Sequence, residues 1–380
     1  MRDGWIVTVL GELAEITTGS RAKGGAITLG IPSIGGEQIA EDRSIKFNKM
    51  KFIPKDHFES MRTGKLKFGD SLLVKDGATT GKVGYWGYDI PAAVNEHVFI
   101  LRAKPDCAEP YFINLLISHR PFREEIESRT RGIIGGITRD IENIELVVPP
   151  LPEQKRIVDL ISSVDSYIEA LQQQVESAKR SRNAVLHELL TAGGDDWVEH
   201  KLIEMFEIYQ PQTIAKSLMS EDGEFIVFGA NGPIGRYHEF NHDEPEVVVT
   251  CRGATCGTIN MTPPKTWITG NAMVVSPKTS GVSKEFLYWA LTAGVDIQSV
   301  ISGSAQPQIT REGLAPVKIK IPPLSRQIEI VDLISGFEMN ISHLEESLYK
   351  TKTLRSGLLS DLLSGEHLIP SSYDKVIGAA

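Results

Sequence analysis

The chain has 380 residues, 41% of them apolar and 23% charged, with a formal net charge of −9. That length suits two domains of ordinary size, and the apolar share supports real cores and excludes global disorder. The acidic total argues against a protein that coats nucleic acid over its whole surface, and three cysteines (Cys107, Cys251 and Cys256) exclude a disulfide framework and suit a reducing compartment.

Behind Met1-Arg2-Asp3-Gly4-Trp5-Ile6 there is no long apolar run, and no stretch approaches the roughly 20 apolar residues that cross a bilayer. The expectation is a soluble cytoplasmic protein without a leader or a membrane contact. Charge is uneven along the chain. Residues 1–150 hold 20 Lys and Arg against 20 Asp and Glu, whereas residues 196–322 hold 10 against 14. The first stretch is the better candidate for meeting phosphates; the second needs a focused basic patch or a partner.

The chain is written twice. Trp5-Ile6-Val7, followed by Leu10-Gly11-Glu12-Leu13-Ala14-Glu15-Ile16, returns as Trp197-Val198-Glu199, followed by Leu202-Ile203-Glu204-Met205-Phe206-Glu207-Ile208. Asp76-Gly77-Ala78-Thr79-Thr80-Gly81 returns as Arg252-Gly253-Ala254-Thr255-Cys256-Gly257, and Ile137-Thr138-Arg139 as Ile309-Thr310-Arg311. Pro149-Pro150-Leu151 running into Ile157-Val158-Asp159-Leu160-Ile161 returns as Pro322-Pro323-Leu324 running into Ile330-Val331-Asp332-Leu333-Ile334. The offset shrinks from 192 residues at the tryptophans to 173 at the prolines, so the first variable region is the longer. The simplest account is two copies of one unit, each a globular domain followed by a helix. The expected division is a first domain over residues 1–150, a first spacer helix over 151–193, a second domain over 196–322, a second spacer helix over 323–366 and a tail over 367–380.

Both domains read as mixed α/β with many short strands. Ser71–Val74 and Glu246–Val249 are β-rich runs feeding the glycine loops, Val94–Ile100 and Gly270–Val275 look like matched strands, and short helices are expected at about Glu109–Ser118 and Ser283–Leu291. Each Pro-Pro-Leu ends a strand, the first over Ile144–Val148, because proline fixes its own φ and biases the residue before it away from helix; Pro152 fits a first helical turn.

Beyond each junction an apolar stripe steps by four and three. In the first copy it runs through Ile157, Ile161, Val164, Ile168, Leu171 and Val175, and onward to Ala178, Arg182, Val185 and Leu189. In the second it runs through Ile330, Ile334, Phe337, Ile341, Leu344 and Leu348, and onward to Thr351, Arg355, Leu358 and Leu362. This is coiled-coil spacing over roughly 50 Å of helix, closed by Gly193-Gly194 and Gly365. The stripes can be buried on their own domains or on each other. Mutual antiparallel packing is favoured, because it relates the repeats by a pseudo-two-fold axis. Arg182 and Arg355 interrupt both stripes at matched positions, and sequence leaves open whether they cover apolar surface, fix register or touch a partner.

The loops Asp76–Gly84 and Arg252–Thr258 combine glycines with Thr79, Thr80, Thr255 and Thr258 and with Lys75, Lys82 and Arg252. Such loops suit phosphate contacts, although a structural hairpin with satisfied hydroxyls explains them equally well; neither has the Gly-Lys-Ser/Thr ending of a P-loop. A second candidate edge is Arg129-Thr130-Arg131 leading to Thr138-Arg139, matched by Gln306 and Gln308 leading to Thr310-Arg311. Arginine and glutamine are the side chains that read guanine and adenine edges with paired hydrogen bonds. Lys46, Lys49 and Lys51 lie in a basic, apolar-interleaved segment that reads either as a solvated face or as phosphate positioning. The second copy has no equal to it in sequence and carries instead the turn-rich Phe228–Tyr237, with Asn231 and Arg236 available for bases.

His238, His242, Cys251 and Cys256 could supply soft metal ligands, but their counterparts are missing (Lys75 and Thr80 stand opposite the cysteines) and buried thiols are favoured. No coherent catalytic constellation appears, and no cofactor or metal is expected in this chain.

With these pieces placed, the sequence resembles the specificity subunits of type I restriction–modification enzymes over nearly its whole length. The most telling segment is Pro149-Pro150-Leu151-Pro152-Glu153-Gln154-Lys155-Arg156-Ile157-Val158, supported by the openings at Trp5 and Trp197 and the Phe228–Tyr237 loop. The second junction departs from it, with Ser325-Arg326-Gln327-Ile328-Glu329-Ile330. The resemblance implies two target-recognition domains that each read half of a bipartite sequence in double-stranded DNA, and spacer helices that set the unread gap. It further implies docking of two modification subunits carrying S-adenosylmethionine chemistry on adenine, with restriction subunits adding ATP- and Mg2+-dependent translocation and cleavage. No catalytic residue is implied for this chain. The competing reading is a non-catalytic coiled-coil scaffold with two ligand domains unrelated to DNA, which leaves the duplicated loops and the Arg/Gln edges unexplained.

Overall fold

Runs of β-branched and aromatic residues, cut short by glycine and proline, yield strands of two to six residues in both halves of the chain. The structure, a computed structural model, describes residues 4–22, 24–129, 136–303 and 306–374, without the side chains of Glu127 and Arg129. It divides into two units, residues 1–170 with 348–380, and residues 171–347.

In the first unit the order is β1 (Ile6–Val9), α1 (Leu10–Leu13), β2 (Ala14–Thr18), β3 (Ile31–Ile34), β4 (Lys51–Ile53), α2 (Lys55–Ser60), β5 (Asp70–Val74), β6 (Val83–Trp86), β7 (Ala93–Val94), β8 (Val98–Ala103), α3 (Pro110–Ser118), α4 (Arg120–Arg129), β9 (Glu145–Val148) and the start of α5 (Leu151–Ala192). Three sheets result: antiparallel β2-β8-β5-β6, mixed β4-β3-β7 with β3 parallel to β7, and the antiparallel pair β1-β9. The second unit repeats this strand for strand with β10 (Val198–Lys201), α6 (Leu202–Met205), β11 (Phe206–Tyr209), β12 (Phe225–Phe228), β13 (Pro233–Tyr237), β14 (Val247–Thr250), β15 (Ile259–Met261), β16 (Thr266–Ile268), β17 (Ala272–Pro277), α7 (Lys284–Ala293), α8 (Arg311–Leu314), β18 (Lys318–Ile321) and α9 (Leu324–Ser364). Its sheets are β11-β17-β14-β15, β13-β12-β16 and β10-β18.

Both larger sheets are buried on two faces, which is why their central strands read as unbroken apolar runs. Leu73 and Leu101 face the core under α3, whereas Leu72, Val74 and Ile100 face a second core with Ile34 and Trp86. In the second unit Val247 and Val249 face the α7 side and Val248 the other. The strand expected over Val94–Ile100 is broken. Val94 ends β7, the Asn95 side chain accepts from the His97 N–H at 2.9 Å to make a turn, and β8 begins at Val98. The basic Lys46–Ile53 segment and the Phe228–Tyr237 loop, dissimilar in sequence, occupy one topological place between matched strands, β3–β4 and β12–β13.

Helices α5 and α9 run for 42 and 41 residues and stop at Gly193 and Gly365, both at positive φ. Within the first unit, Ile157 and Ile161 at the start of α5 pack with Leu359 and Leu362 near the end of α9, and Asp165 meets Arg355; within the second, Lys179 meets Glu345 at 2.8 Å and Arg182 meets Glu338. Rising numbers on one helix meet falling numbers on the other, so the helices pair antiparallel in each unit. Ile168, Leu171, Val175 and Ile341 are buried in the stripe, while Val164, Phe337, Leu344 and Leu348 are half-buried.

The stripe needs two corrections. Ile157 and Ile161, and likewise Ile330 and Ile334, also belong to their own domains' cores, so each helix is seated on its domain before it pairs with the other. Past Arg182 the heptad slips by one residue, with Leu186 and Leu190 buried in place of Val185 and Leu189; past Arg355 only Leu358 gives way, to Leu359, and Leu362 is buried on the stripe. An α-helix drifts against a strict seven-residue repeat, and the slip restores contact where the helix leaves its partner for a globular core. The tail is not loose at its start. Ile369 is buried, Tyr373 Oη donates to Asp159 at 3.0 Å, and Arg156 forms a paired bridge to Asp374 at 2.7 and 3.0 Å.

Candidate nucleic-acid interface

The two glycine loops are one structure built twice. In the first, the Thr80 N–H donates to Gly77 O, Gly81 N–H to Val74 O and Lys82 N–H to Thr79 O; in the second, Cys256 donates to Gly253, Gly257 to Thr250 and Thr258 to Thr255. Gly77, Gly81, Gly253 and Gly257 all have φ between 83° and 92°, a region that favours glycine. Space around Gly77, Gly81 and Gly253 is open, so these glycines answer to backbone conformation and present a bare main chain outward.

Each loop is tied to the second candidate edge by a matched bond. Ile137 N–H donates to Lys75 O at 2.6 Å, and Ile309 N–H to Cys251 O at 3.0 Å. In the second unit Gly253 N–H also donates to Pro307 O, and Ser302 and Gln308 exchange backbone bonds. The structure therefore brings Lys75–Lys82 beside Thr138 and Arg139, and Arg252–Thr258 beside Gln306, Gln308, Thr310 and Arg311, pairs of segments that lie far apart in sequence. In the first unit the basic segment joins the group: a side chain at Gly36 would collide with Thr79, Gln38 Nε2 donates to Lys49 O at 2.8 Å, and Lys82 pairs with Glu41 at 2.7 Å.

Individual candidates separate by what their polar atoms already do. The Thr80 hydroxyl donates to Gly77 O at 2.7 Å, and Thr310 caps α8 by accepting from Gly313 N–H at 3.2 Å. The Arg236 guanidinium donates to Gly223 O and Glu224 O, both at 2.6 Å, which locks β13 to the preceding turn. These three carry intramolecular bonds within the chain, which any base or phosphate contact would have to share or displace. Asn231 accepts from Asn260 at 2.8 Å, and Lys75 lies over the Phe99 ring at 5.4 Å. Lys51 pairs with Glu37 at 2.8 Å and Arg139 with Glu142 at 3.2 Å, but these pairs are largely solvated and solvent screens them to little net energy, so a phosphate can displace the carboxylate. The side chains of Lys46, Lys49, Arg252 and Arg311 form no hydrogen bond or ion pair among the described residues, although Lys46 and Lys49 act by charge on Glu41 and Glu37. Thr138, Thr255, Thr258, Gln306 and Gln308 are exposed. Arg131 and the Arg129 side chain lie outside the described residues.

The soft-ligand candidates are spoken for. Cys251 Sγ donates to Asn271 O at 3.0 Å and accepts from Gln210, and burial raises the Cys256 thiol pKa. His242 Nε2 meets Tyr209 Oη at 2.8 Å, where burial lowers the histidine pKa and pushes the tyrosine up to about 12. No group of three His, Cys, Asp or Glu suited to a metal occurs among the described residues, and no described helix is long and apolar enough to cross a membrane.

Two features went unread in the sequence. Buried Gln154 accepts from Glu109 N–H at 3.0 Å and donates to Pro149 O at 2.9 Å, fastening the first turn of α5 to the start of α3; buried Gln327 accepts from Ser283 N–H at 2.9 Å and donates to Pro322 O and Gly281 O at 2.9 Å, doing the same between α9 and α7. The other is the pair of inverted bridges, Asp165 to Arg355 and Arg182 to Glu338. Arg182 additionally lies over the Trp289 ring at 5.6 Å. The shared Ile-Val-Asp-Leu-Ile register marks the partners as equivalent, since Asp165 and Glu338 are 173 residues apart, as are Arg182 and Arg355.

The family described as the type I restriction modification DNA specificity domain matches residues 2–179 and again 194–351. The chain is 22% identical to a sequence assigned as the MjaX type I restriction enzyme specificity subunit of Methanocaldococcus jannaschii, covering 96% of this chain and 94% of that one. It is 24% identical to the EcoprrI type I restriction enzyme specificity subunit of Escherichia coli, over 73% of this chain and 74% of the relative. Among solved structures, the type I restriction–modification S subunit from M. genitalium superimposes with a TM-score of 0.60 at 17% identity, covering 94% of this chain and 96% of that one. A chain from work on complex assembly and conformational transition of the type I restriction–modification system gives 0.61 at 17%, covering 96% and 98%. At that identity the structural likeness establishes the shared fold.

Proposed function

The chain belongs to the type I restriction–modification DNA specificity family, and from that premise we propose that it is the sequence-reading subunit of a multisubunit enzyme, each domain reading one half of a bipartite target in double-stranded DNA. The observation that carries the reading is the duplicated juxtaposition of a glycine loop with an Ile-Thr-Arg edge, fixed in each unit by the bond from Ile137 to Lys75 and from Ile309 to Cys251. In each, an exposed main chain suited to phosphates adjoins an exposed arginine suited to a base edge. The surrounding side chains differ, with lysines about the first loop and Arg252, Gln306 and Gln308 about the second, which supports different half-sites.

The chemistry belongs to partners. Modification subunits would bring S-adenosylmethionine and methylate adenine, and restriction subunits would bring ATP- and Mg2+-dependent translocation and cleavage. The net charge of −9 supports this division, because phosphate neutralisation dominates affinity for DNA and this chain has little cationic surplus to supply it. The test is binding to target and scrambled duplexes at one fixed salt concentration, with and without modification subunits. Tight, sequence-selective binding is expected only with the partners; equal selective affinity for the lone chain overturns the division of labour, and no selectivity in either form overturns the reading.

A further inference from the structure

A groove of about 900 Å³ in the first unit adjoins the glycine loop without being part of it, bounded by Gly81 and Lys82, by the turn from α3 into α4, and by the last turns of α9. Five cations line it, Arg43, Lys82, Arg120, Arg123 and Arg355, against the carboxylates of Glu41 and Glu124. Arg355 and Arg43 are directed at Asp165, and Lys82 holds Glu41, whose pKa is lowered by that hydrogen bond and charge. Arg120 pairs with Glu124 at 2.6 Å, both largely exposed, a contact that solvent screens to little net energy. The Arg123 guanidinium is exposed and forms no hydrogen bond or ion pair among the described residues, although its charge acts on Glu41 across the groove. His119, half-buried with its pKa lowered by burial, is neutral near pH 7 and contributes a hydrogen-bonding ring in place of charge.

Among the described residues the second unit has no arginine-bearing helix in the place of α4. There α7 runs out at Gly294 and a 3-10 turn at Gln298–Val300 follows, where the first unit has α4 with its arginines. The surplus of cations over acids is thus a property of one domain, in keeping with its balanced 20 to 20 charge beside the 10 to 14 of the other.

We propose that this groove takes the phosphodiester backbone of the bound duplex, a sequence-independent contact made by the first domain alone. The inference rests on the DNA-reading function proposed above. A duplex strand carries a phosphate roughly every 3.4 Å, so DNA laid against the Gly77–Gly81 loop necessarily presents further phosphates to whatever adjoins it. What adjoins it is Lys82, shared by loop and groove, and then Arg123. An acidic segment of a partner protein has similar charge, but nothing in that alternative accounts for the continuity with the loop.

The experiment uses the chain assembled with its modification subunits, comparing Arg123→Ala and Arg123→Lys with the parent for salt dependence of DNA binding and for phosphate-ethylation interference. Arg123→Ala should lower the slope of log affinity against log salt by about one unit, weaken cognate and scrambled duplexes alike, and lose ethylation-sensitive phosphates beside one half-site only. Arg123→Lys should retain most of the slope, and the methylated sequence should be unchanged in both. An unaltered slope and interference pattern for Arg123→Ala, in a complex whose parent binds selectively, overturns the inference while leaving the proposed function standing. Release of the modification subunits by Arg123→Ala also overturns it, assigning the groove to an acidic protein segment. A parent complex that shows no selectivity overturns the proposed function itself.

Discussion

The Asp165 carboxylate receives Arg355 side-on, with Nη2 donating at 2.8 Å and Nε to the other oxygen, while Tyr111 Oη adds a bond at 2.9 Å. Paired bonds from a planar guanidinium define direction as well as distance. The stripe positions alone permit the helices to slide by whole heptads, whereas this contact and its inverted equivalent, Arg182 to Glu338, each select one register. The arginines that interrupt the apolar stripes are therefore the residues that fix how the helices align.

Removing either partner should cost more than an exposed ion pair would. With the Arg355 and Asp165 side chains 14% and 26% exposed, Arg355→Ala should destabilise by about 2 kcal/mol, below the roughly 3–5 kcal/mol of fully buried pairs. Denaturant unfolding of Arg355→Ala, Asp165→Ala and the double variant checks this, and the double variant should be less destabilised than the sum of the singles.

The same pair gives a pH dependence. Burial would raise the Asp165 pKa, but the hydrogen bonds and charge of Arg355, with Arg43 and Tyr111 behind, hold it below the ordinary carboxylate value. A depressed native pKa contributes stability that is complete above the unfolded value, about 3.9, and is lost as pH falls through the lower native value. Unfolding measured from pH 6 down to pH 2 should show a shallower acid loss in Asp165→Asn than in the parent.

Gln154 and Gln327 should be equivalent in effect. Each is buried, and truncation strands a helix-start N–H and a proline carbonyl, so Gln154→Ala and Gln327→Ala should each cost about 1–3 kcal/mol. Thermal unfolding of the two variants checks it. Exposed Gln174→Ala, in the middle of α5, serves as the comparison and should change stability little.

The loop glycines permit a cleaner separation. Gly77→Ala and Gly253→Ala meet open space, so the only cost is an L-residue at φ near +90°, about 1–2 kcal/mol for each. Circular dichroism should show both folded with lowered melting temperatures.

Much of this was legible because the sequence is duplicated. Matching Asp76–Gly81 with Arg252–Gly257, and one Pro-Pro-Leu with the other, placed equivalent strands and helices around the loops and junctions, whereas the matched sheets β4-β3-β7 and β13-β12-β16 join segments too unlike in sequence to be aligned. The coiled-coil stripe was legible through Val175 and Ile341 and again at Leu362, but it missed Leu186 and Leu190 past Arg182 and Leu359 past Arg355. There the buried face is set by a globular core distant in sequence, and heptad spacing has no knowledge of it. For the site residues, the sequence shows residue type and spacing but not the bonds that the side chains already make. Thr80, Arg236 and Thr310 are polar residues in turn-rich segments, as a DNA contact would be, and only the positions of Gly77, Gly223 and Gly313 show their bonds already made. Gln154 and Gln327 were visible as repeated letters, but a glutamine beside a proline junction carries no sign of burial until α3 and α7 are laid against it.

The central claim, that each domain reads its own half of the target, is tested most directly by mapping methylated sites for Arg139→Ala and Arg311→Ala in complexes loaded with modification subunits. Both arginines are exposed beside their glycine loops, and a lost paired contact to a base costs about 1–3 kcal/mol at that position. Arg139→Ala should relax one half-site and leave the other intact, and Arg311→Ala should do the reverse. Relaxation of the same half-site by both variants, or of both halves by either, would contradict the account.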